Sequence, residues 1–328
     1  MHHLVIGEGQ IGRAIIERAL ADGDTVTVLR RTAKDPSPGI RRVAGDVLDP
    51  AALGAAIEGA DAVMATFHAP YDARLWRQQL PPRELAVLAA AAERRIPVVF
   101  PESFYGFQGG AAALAEDASP SPLDEKGRVR VELLAARRTH RARTLSVIAS
   151  DLIGPSTVGT GAAVATAMVI EPLLAGRRPI LFGRADAPHT LTFIPDLAEA
   201  MLHAARHAER LAGATGDAVL NAPAAPARTQ RELIAEVSRL LGVPARRPLP
   251  IPRTALALLA PLNTFARELH GISGLWYRPS VQVPGRLDRE EGLVATSWEE
   301  AVGRTVQAAR AARESGGARD TGAVSVAP

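Results

Sequence analysis

The 328-residue chain contains no cysteine. That absence excludes disulfides, thiolate metal centres and cysteine nucleophiles together. It agrees with an intracellular protein, and a cytoplasmic location is expected. Long apolar runs are missing too: none reaches the roughly 18 residues that a bilayer span needs. Met1-His2-His3 leads straight into Leu4-Val5-Ile6 without a charged leader or cleavage site, so neither a signal peptide nor a membrane partner is expected. Aromatics make up only 4% of the chain, and Lys34 and Lys126 are its only lysines. The net charge of +3 comes from arginines scattered among acids. A nucleic-acid surface would need a basic stripe with interleaved aromatics, so no nucleic-acid partner is expected. The arginine-over-lysine bias reads as the codon usage of a GC-rich genome.

What is present is a large apolar fraction, 47%, enough to bury a sizeable core. Short apolar or β-branched runs predict strands at 4–6, 25–29, 40–44, 62–66, 98–100 and 145–149. Helical patterns fall between them at 11–21, 50–58, 83–95 and 128–141. Strands alternating with helices predict right-handed βαβ units and an α/β fold of Rossmann type, a doubly wound parallel sheet. Beyond residue 152 the pattern loosens. Further strands are expected at 179–182, 191–194 and 218–220, and helices at 195–210, 229–241, 253–270 and 297–313. The expected division gives residues 1–152 and about 190–222 to the cofactor domain. A smaller C-terminal substrate-binding region takes about 153–189 and 223–313, and 314–328 is expected to be a disordered tail.

The strongest motif is Gly7-Glu8-Gly9-Gln10-Ile11-Gly12, a G-x-G-x-x-G directly after a strand and opening a helix. Gly7 permits the tight turn, Gly9 lets backbone approach a pyrophosphate, and Gly12 lets helix and strand pack closely. Gln10 and Ile11 begin the helix whose free N–H groups would face the phosphates. A site specific for NAD wants an acid at the end of the second strand, for the ribose 2′-hydroxyl. This chain has Arg30 and Arg31 there, followed by Lys34. Guanidinium groups suit a 2′-phosphate, so NADP(H) is the expected cofactor.

With Gly45-Asp46-Val47, the run from Ala60 to Thr66, the run Ala149-Ser150-Asp151-Leu152-Ile153-Gly154-Pro155 and Phe193-Ile194-Pro195-Asp196, the sequence resembles the extended short-chain dehydrogenase/reductase (NAD-dependent epimerase/dehydratase) family over roughly residues 3–312. The resemblance implies that Asp46 and Val47 lie at the adenine, and Thr66 and Phe67 along the cofactor. It also implies a Ser after the fifth strand, best matched by Ser103, and a Tyr-x-x-x-Lys on the next helix. Counting back from Glu132 puts Asp124 at the Tyr position and Arg128 at the Lys position, so that pair is absent.

Ketone reduction then needs another proton source. Ser103, Tyr105, a bound water or the substrate's own phenol remain open, and Asp124 serves only if burial raises its pKa. Arg128 is a candidate for the nicotinamide ribose or a substrate oxyanion, although Asp124, Arg128 and Glu132 also fit a helix cap with a surface ion-pair ladder. His68, Tyr71, Ser103, Tyr105, His189 and Trp276 are the candidate substrate contacts, and no metal site is expected because the histidines are dispersed. The chain resembles most the tailoring ketoreductases of aromatic polyketide antibiotics. That implies NADPH-dependent reduction of a small-molecule aromatic ketone. The alternatives are a sugar-nucleotide epimerase or dehydratase, and a non-catalytic NADP sensor. Oligomeric state is not legible in the sequence.

Overall fold

The computed structural model describes residues 1–316 except Ala33 and Pro36. The first half runs β1 (His2–Ile6), α1 (Gln10–Ala21), β2 (Thr25–Arg30), β3 (Ile40–Ala44), α2 (Pro50–Ile57), β4 (Ala62–Ala65), α3 (Ala73–Arg94), β5 (Val98–Ser103), α4 (Glu125–Thr139) and β6 (Thr144–Ala149). The second half continues β7 (Asp151–Ile153), α5 (Glu171–Leu174), β8 (Ile180–Phe182), β9 (Pro188–His189), β10 (Leu191–Phe193), α6 (Ile194–Arg206), α7 (Ala208–Ala212), β11 (Asp217–Asn221), β12 (Arg228–Thr229), α8 (Gln230–Leu241), β13 (Leu249–Ile251), α9 (Arg253–Leu259), α10 (Thr264–Tyr277), α11 (Arg286–Arg289) and α12 (Trp298–Gly316).

Seven strands form one sheet in the order β11-β6-β5-β4-β1-β2-β3, and every pairing in it is parallel. The expected Rossmann-type α/β fold is what forms. Period-two alternation sends Leu4 and Ile6 to one face, against Leu53, Ile57, Val87 and Leu88 of α2 and α3. Val5 and Val28 go to the other, against Ile15 of α1 and Leu197 and Met201 of α6. Both faces are covered, as a parallel sheet requires. The strand order reverses between β1 and β4, which opens a crevice at their carboxyl ends.

Four helices differ from expectation, among them 195–210, which is two helices, α6 and α7, parted at His207. α3 begins at Ala73, not residue 83, and carries Pro81 and Pro82 in its interior. Asp72 caps it by accepting from the Arg74 N–H at 2.7 Å. An interior proline costs about 3 kcal/mol or more. Burial of Trp76 and Leu80, one turn apart, offsets that penalty. The expected helix 253–270 is two helices, α9 and α10, broken around Pro261 and restarted by Asn263, whose Oδ1 accepts from the Ala266 N–H at 2.9 Å. α4 starts three residues earlier than expected, with a consequence for the site. Of the expected tail, residues 314–316 are still helical within α12, and 317–328 lie outside the described residues. Among the described residues no helix is long and apolar enough to cross a membrane.

Candidate functional site

The glycine-rich turn after β1 is held shut from β4. Thr66 Oγ1 donates to the Gly7 carbonyl oxygen at 2.8 Å, with the Ile6 carbonyl at 3.1 Å. Gly7 has φ +96°, and a Cβ on it would stand 3.1 Å from Phe67 Cα. A Cβ on Gly12 would stand 2.1 Å from the Gly7 carbonyl oxygen. A Cβ on Gly9 would meet nothing within 4 Å, so Gly9 faces open space at the mouth of α1. Gly9 caps α1 with no side-chain hydrogen bond, leaving the first N–H groups free for an acceptor. Gln10 Oε1 is buried without a partner beside them. Ile11 packs its side chain into the core below. The cradle therefore fits a pyrophosphate, which would take the N–H groups of α1. Farther along the edge, Val47 is buried and Asp46 Oδ1 accepts from the Leu48 N–H at 3.0 Å, shaping the turn after β3.

At the end of β2 the structure adds a residue that the sequence reading passed over inside the motif itself. Glu8 is nearly enclosed, and its carboxylate takes Lys34 Nζ at 2.6 Å, Arg42 Nη1 at 2.8 Å and Arg30 Nη1 at 3.2 Å. Partial burial pushes the Glu8 carboxyl up, but the bonds from Lys34 and Arg42 outweigh it and hold the group below its ordinary value. Arg30 is thus an ion-pair partner rather than a free strand-end cation, while Arg31 is exposed. Arg42, from β3, belongs to the same cluster and was missed because no motif points at it.

A second cluster of side chains lies at the carboxyl ends of β4 and β5. Tyr71 comes from the loop after β4, and Tyr105 from the 3₁₀ turn Phe104–Ala113 after β5. Their hydroxyls meet at 3.2 Å. Tyr105 stacks on Trp76, and Tyr71 meets the same ring edge-on. Burial pushes the Tyr105 phenol up to about 12, countered by its bond from Tyr71. Burial and the neighbouring Tyr105 push Tyr71 higher still, so both phenols keep their protons at neutral pH. Lys126 Nζ sits over the Tyr71 ring, 4.8 Å from its centroid, fully buried. It donates to the Glu268 side chain at 2.5 Å and to the Glu268 carbonyl at 2.9 Å, which ties α10 to α4.

This geometry corrects two expectations. Asp124 is the N-cap of α4. Its Oδ1 accepts from the Gly127 N–H at 2.8 Å and from Gln108 Nε2 at 2.7 Å, and its Oδ2 lies 3.4 Å from Lys126 Nζ. Those contacts make it a helix cap that also ties the 3₁₀ turn to α4. Arg128 points to solvent and pairs with Glu125 at 3.1 Å, joining neither the tyrosine pair nor the cradle. Two residues along a helix turn the side chain by about 200°. The inward face of α4 therefore carries Lys126, Arg130 and Arg137, and Arg128 and Glu132 lie outside. Ser103 ends β5, and its hydroxyl donates to Glu102 Oε1 at 3.5 Å.

His68 stacks edge-on against Trp76, and Arg130 Nη2 donates to its Nε2 at 2.8 Å. Arginine only donates, so Nε2 accepts and Nδ1–H donates to the Ala69 carbonyl at 2.7 Å. The ring's packing and the adjacent guanidinium hold His68 neutral, at about 4. Behind it runs a buried chain of charges. Arg130 Nε lies 3.6 Å from Glu102 Oε1, Glu102 Oε2 accepts from Arg137 at 2.9 Å, and Arg137 pairs with Glu84 at 2.6 Å. Asp151, the first residue of β7, accepts from the Ala165 N–H at 3.1 Å, and burial pushes its carboxyl up to about 7. His189 and Trp276 form a separate stack, ring centroids 3.9 Å apart, in a cleft with Arg228, Gln230 and Trp298. They come together with each other, not with the tyrosine pair.

Residues 7–121 match a family model described as NAD(P)H-binding, which makes the cradle that of a nicotinamide dinucleotide. No curated protein matches the sequence. Among solved structures, a putative epimerase from Burkholderia cenocepacia J2315 is similar at TM-score 0.73 and 20% identity, over 94% of this chain and 98% of that one. UDP-glucose 4-epimerase of Thermotoga maritima, solved with UDP-glucose, is similar at TM-score 0.73 and 15% identity, over 95% and 99%. A dTDP-glucose 4,6-dehydratase double mutant from Streptomyces venezuelae, with NAD bound, is similar at TM-score 0.72 and 20% identity, over 96% and 98%. The fold is thus that of the NAD(P)-dependent oxidoreductases and of the epimerases and dehydratases built like them.

Proposed function

We propose that the chain is an NADPH-dependent ketoreductase whose substrate is a ketone on a polycyclic aromatic polyketide. One observation carries the reading: the Tyr71–Tyr105 hydroxyl pair beside buried Lys126, after β4 and β5, with β4 the neighbour of the β1 strand that leads into the cradle. It offers the proton donor that the missing Tyr-x-x-x-Lys would otherwise supply. When bound, the cofactor would supply hydride to the carbonyl carbon. Tyr105 would give its hydroxyl proton to the carbonyl oxygen, and the Tyr71 proton would follow it. Lys126 fixes the Tyr71 ring by lying on its face. The rings of Tyr71, Trp76 and Tyr105 support a flat aromatic substrate. Choice of NADPH over NADH is supported by Arg30, Lys34 and Arg42, three cations on the single acid Glu8, with Arg31 exposed at the end of β2. The cytoplasm is the compartment that fits such a reductant.

A second reading, a sugar-nucleotide epimerase or dehydratase, is favoured by the names of the structural neighbours. The test is NADPH consumption by the purified protein on polycyclic aromatic ketones, with NADH and UDP-glucose as controls. Turnover with NADPH and a ketone supports the reductase. Conversion of UDP-glucose moves the assignment to the second reading, and tight NADPH binding without turnover moves it to a sensor.

A further inference from the structure

Between Gly242 and Ala266 the chain carries Arg246, Arg247 and Arg253 and no carboxylate. The same stretch holds six of the eleven large hydrophobic side chains that stand exposed among the described residues. Four of them, Leu258, Leu259, Leu262 and Phe265, fall within one turn of chain from the end of α9 to the start of α10. Leu258 is 78% and Leu262 88% exposed. Single exposed leucines are ordinary, but a contiguous apolar tip is not. The tip is not a frayed end. α10 buries Ala266, Leu269, Ile272 and Trp276 on its other side, and Arg178 fixes the preceding arm by donating to the Arg247 and Pro248 carbonyls at 2.8 and 3.2 Å.

We propose that residues 243–265 form a docking surface for an anionic phospholipid bilayer. Leucine and phenylalanine side chains suit the acyl boundary, and guanidinium groups suit the headgroup phosphates beside them. A second copy is the poorer occupant, because an isologous pair would set the same arginines against one another with no acid in the patch to relieve them. The absence of a spanning run, on which the expectation of no membrane partner rests, does not bear on peripheral contact. The docked face shares α10 with Glu268, which holds Lys126 under the Tyr71 ring, so lipid contact would lie against a wall of the candidate site. The inference stands on exposure and charge alone and is independent of the proposed reaction.

The test is flotation of the full chain with vesicles of equal parts phosphatidylglycerol and phosphatidylcholine, against phosphatidylcholine alone. Retention on the anionic vesicles is expected to fall about tenfold or more in Arg246→Glu with Arg247→Glu, and likewise in Leu262→Ser with Phe265→Ser. Raised salt should weaken it. Melting temperature and NADPH binding should stay unchanged, because the altered side chains are exposed. Equal retention on both vesicle types overturns the proposal, as does retention that survives both double variants. Light scattering that shows a dimer dissolved by Leu262→Ser with Phe265→Ser also overturns it, in favour of self-association.

Discussion

The hydroxyls of Tyr71 and Tyr105 lie 3.2 Å apart although 34 residues separate them in the chain. If Tyr105 gives the proton, Tyr105→Phe should lower kcat for ketone reduction by about 10²–10⁴-fold, the usual range for a lost general acid. Tyr71→Phe should cost less, because Tyr105 keeps its own proton. Single-turnover NADPH oxidation checks both, with NADPH affinity as the control. Full activity in Tyr105→Phe would remove the pair from the mechanism.

If NADPH is the cofactor, the Glu8 cluster should separate it from NADH. Arg42→Gln should weaken NADPH by about 10–100-fold, the loss of a charge-assisted bond, with little effect on NADH. Glu8→Gln should do the reverse, freeing Arg30, Lys34 and Arg42 for a 2′-phosphate and tightening NADPH. Titration calorimetry with both nucleotides reads the two shifts. Equal changes for NADPH and NADH would show that the cluster does not meet the 2′ position.

Two glycines of the motif should fail in different ways. Gly12→Ala drives a methyl into the Gly7 carbonyl and should destabilise the fold by about 1–3 kcal/mol. Gly9→Ala meets no protein atom, so it should melt like the parent while NADPH binding falls by about tenfold or more. Paired melting and binding measurements make the distinction.

Lys126→Met leaves Glu268 buried with only the half-exposed Arg267, at 3.3 Å, as its cation, and should cost about 3 kcal/mol in urea unfolding. Adding Glu268→Leu should recover most of that loss. Two additive costs would mean that the pair is not coupled.

Stability should also fall in mild acid through His189. Burial holds its folded pKa at about 4, below the ordinary 6.5. Between about 6.5 and 4 the unfolded chain therefore binds the extra proton, so stability is full above 6.5 and drains away as pH falls to 4. His189→Phe keeps the stack on Trp276 without a titrating group. The melting difference between the two proteins should change across that window, and a constant difference would rule His189 out.

The fold and the cradle were legible because both rest on local signals. Residues 5–12 give strand, turn and helix in one run, and the flanking strands alternate with period two. The tyrosine cluster was only half legible. Tyr71, Tyr105 and His68 could be named from their places after β4 and β5, but their pairing depends on how two loops fold over Trp76. Asp124 and Arg128 were misplaced by counting back from Glu132, since a spacing of four does not tell which side of a helix faces inward. The signal was there in Lys126, one of two lysines in an arginine-rich chain, next to the Gly127 that lets α4 approach the Tyr105 carbonyl. Glu268 and Glu102 carry no such mark, because their importance comes wholly from tertiary neighbours.

The charge chain beneath the site, Glu84 to Arg137 to Glu102 to Arg130, holds two acids and two bases with almost no access to water. Its balance makes it a hereditary lock. A lineage that loses one member inherits an orphaned ion in the core, so the four positions are free to drift only in compensating pairs. Among descendants of this gene, a neutral residue at 84 or 102 should therefore arrive together with the loss of an arginine at 137 or 130.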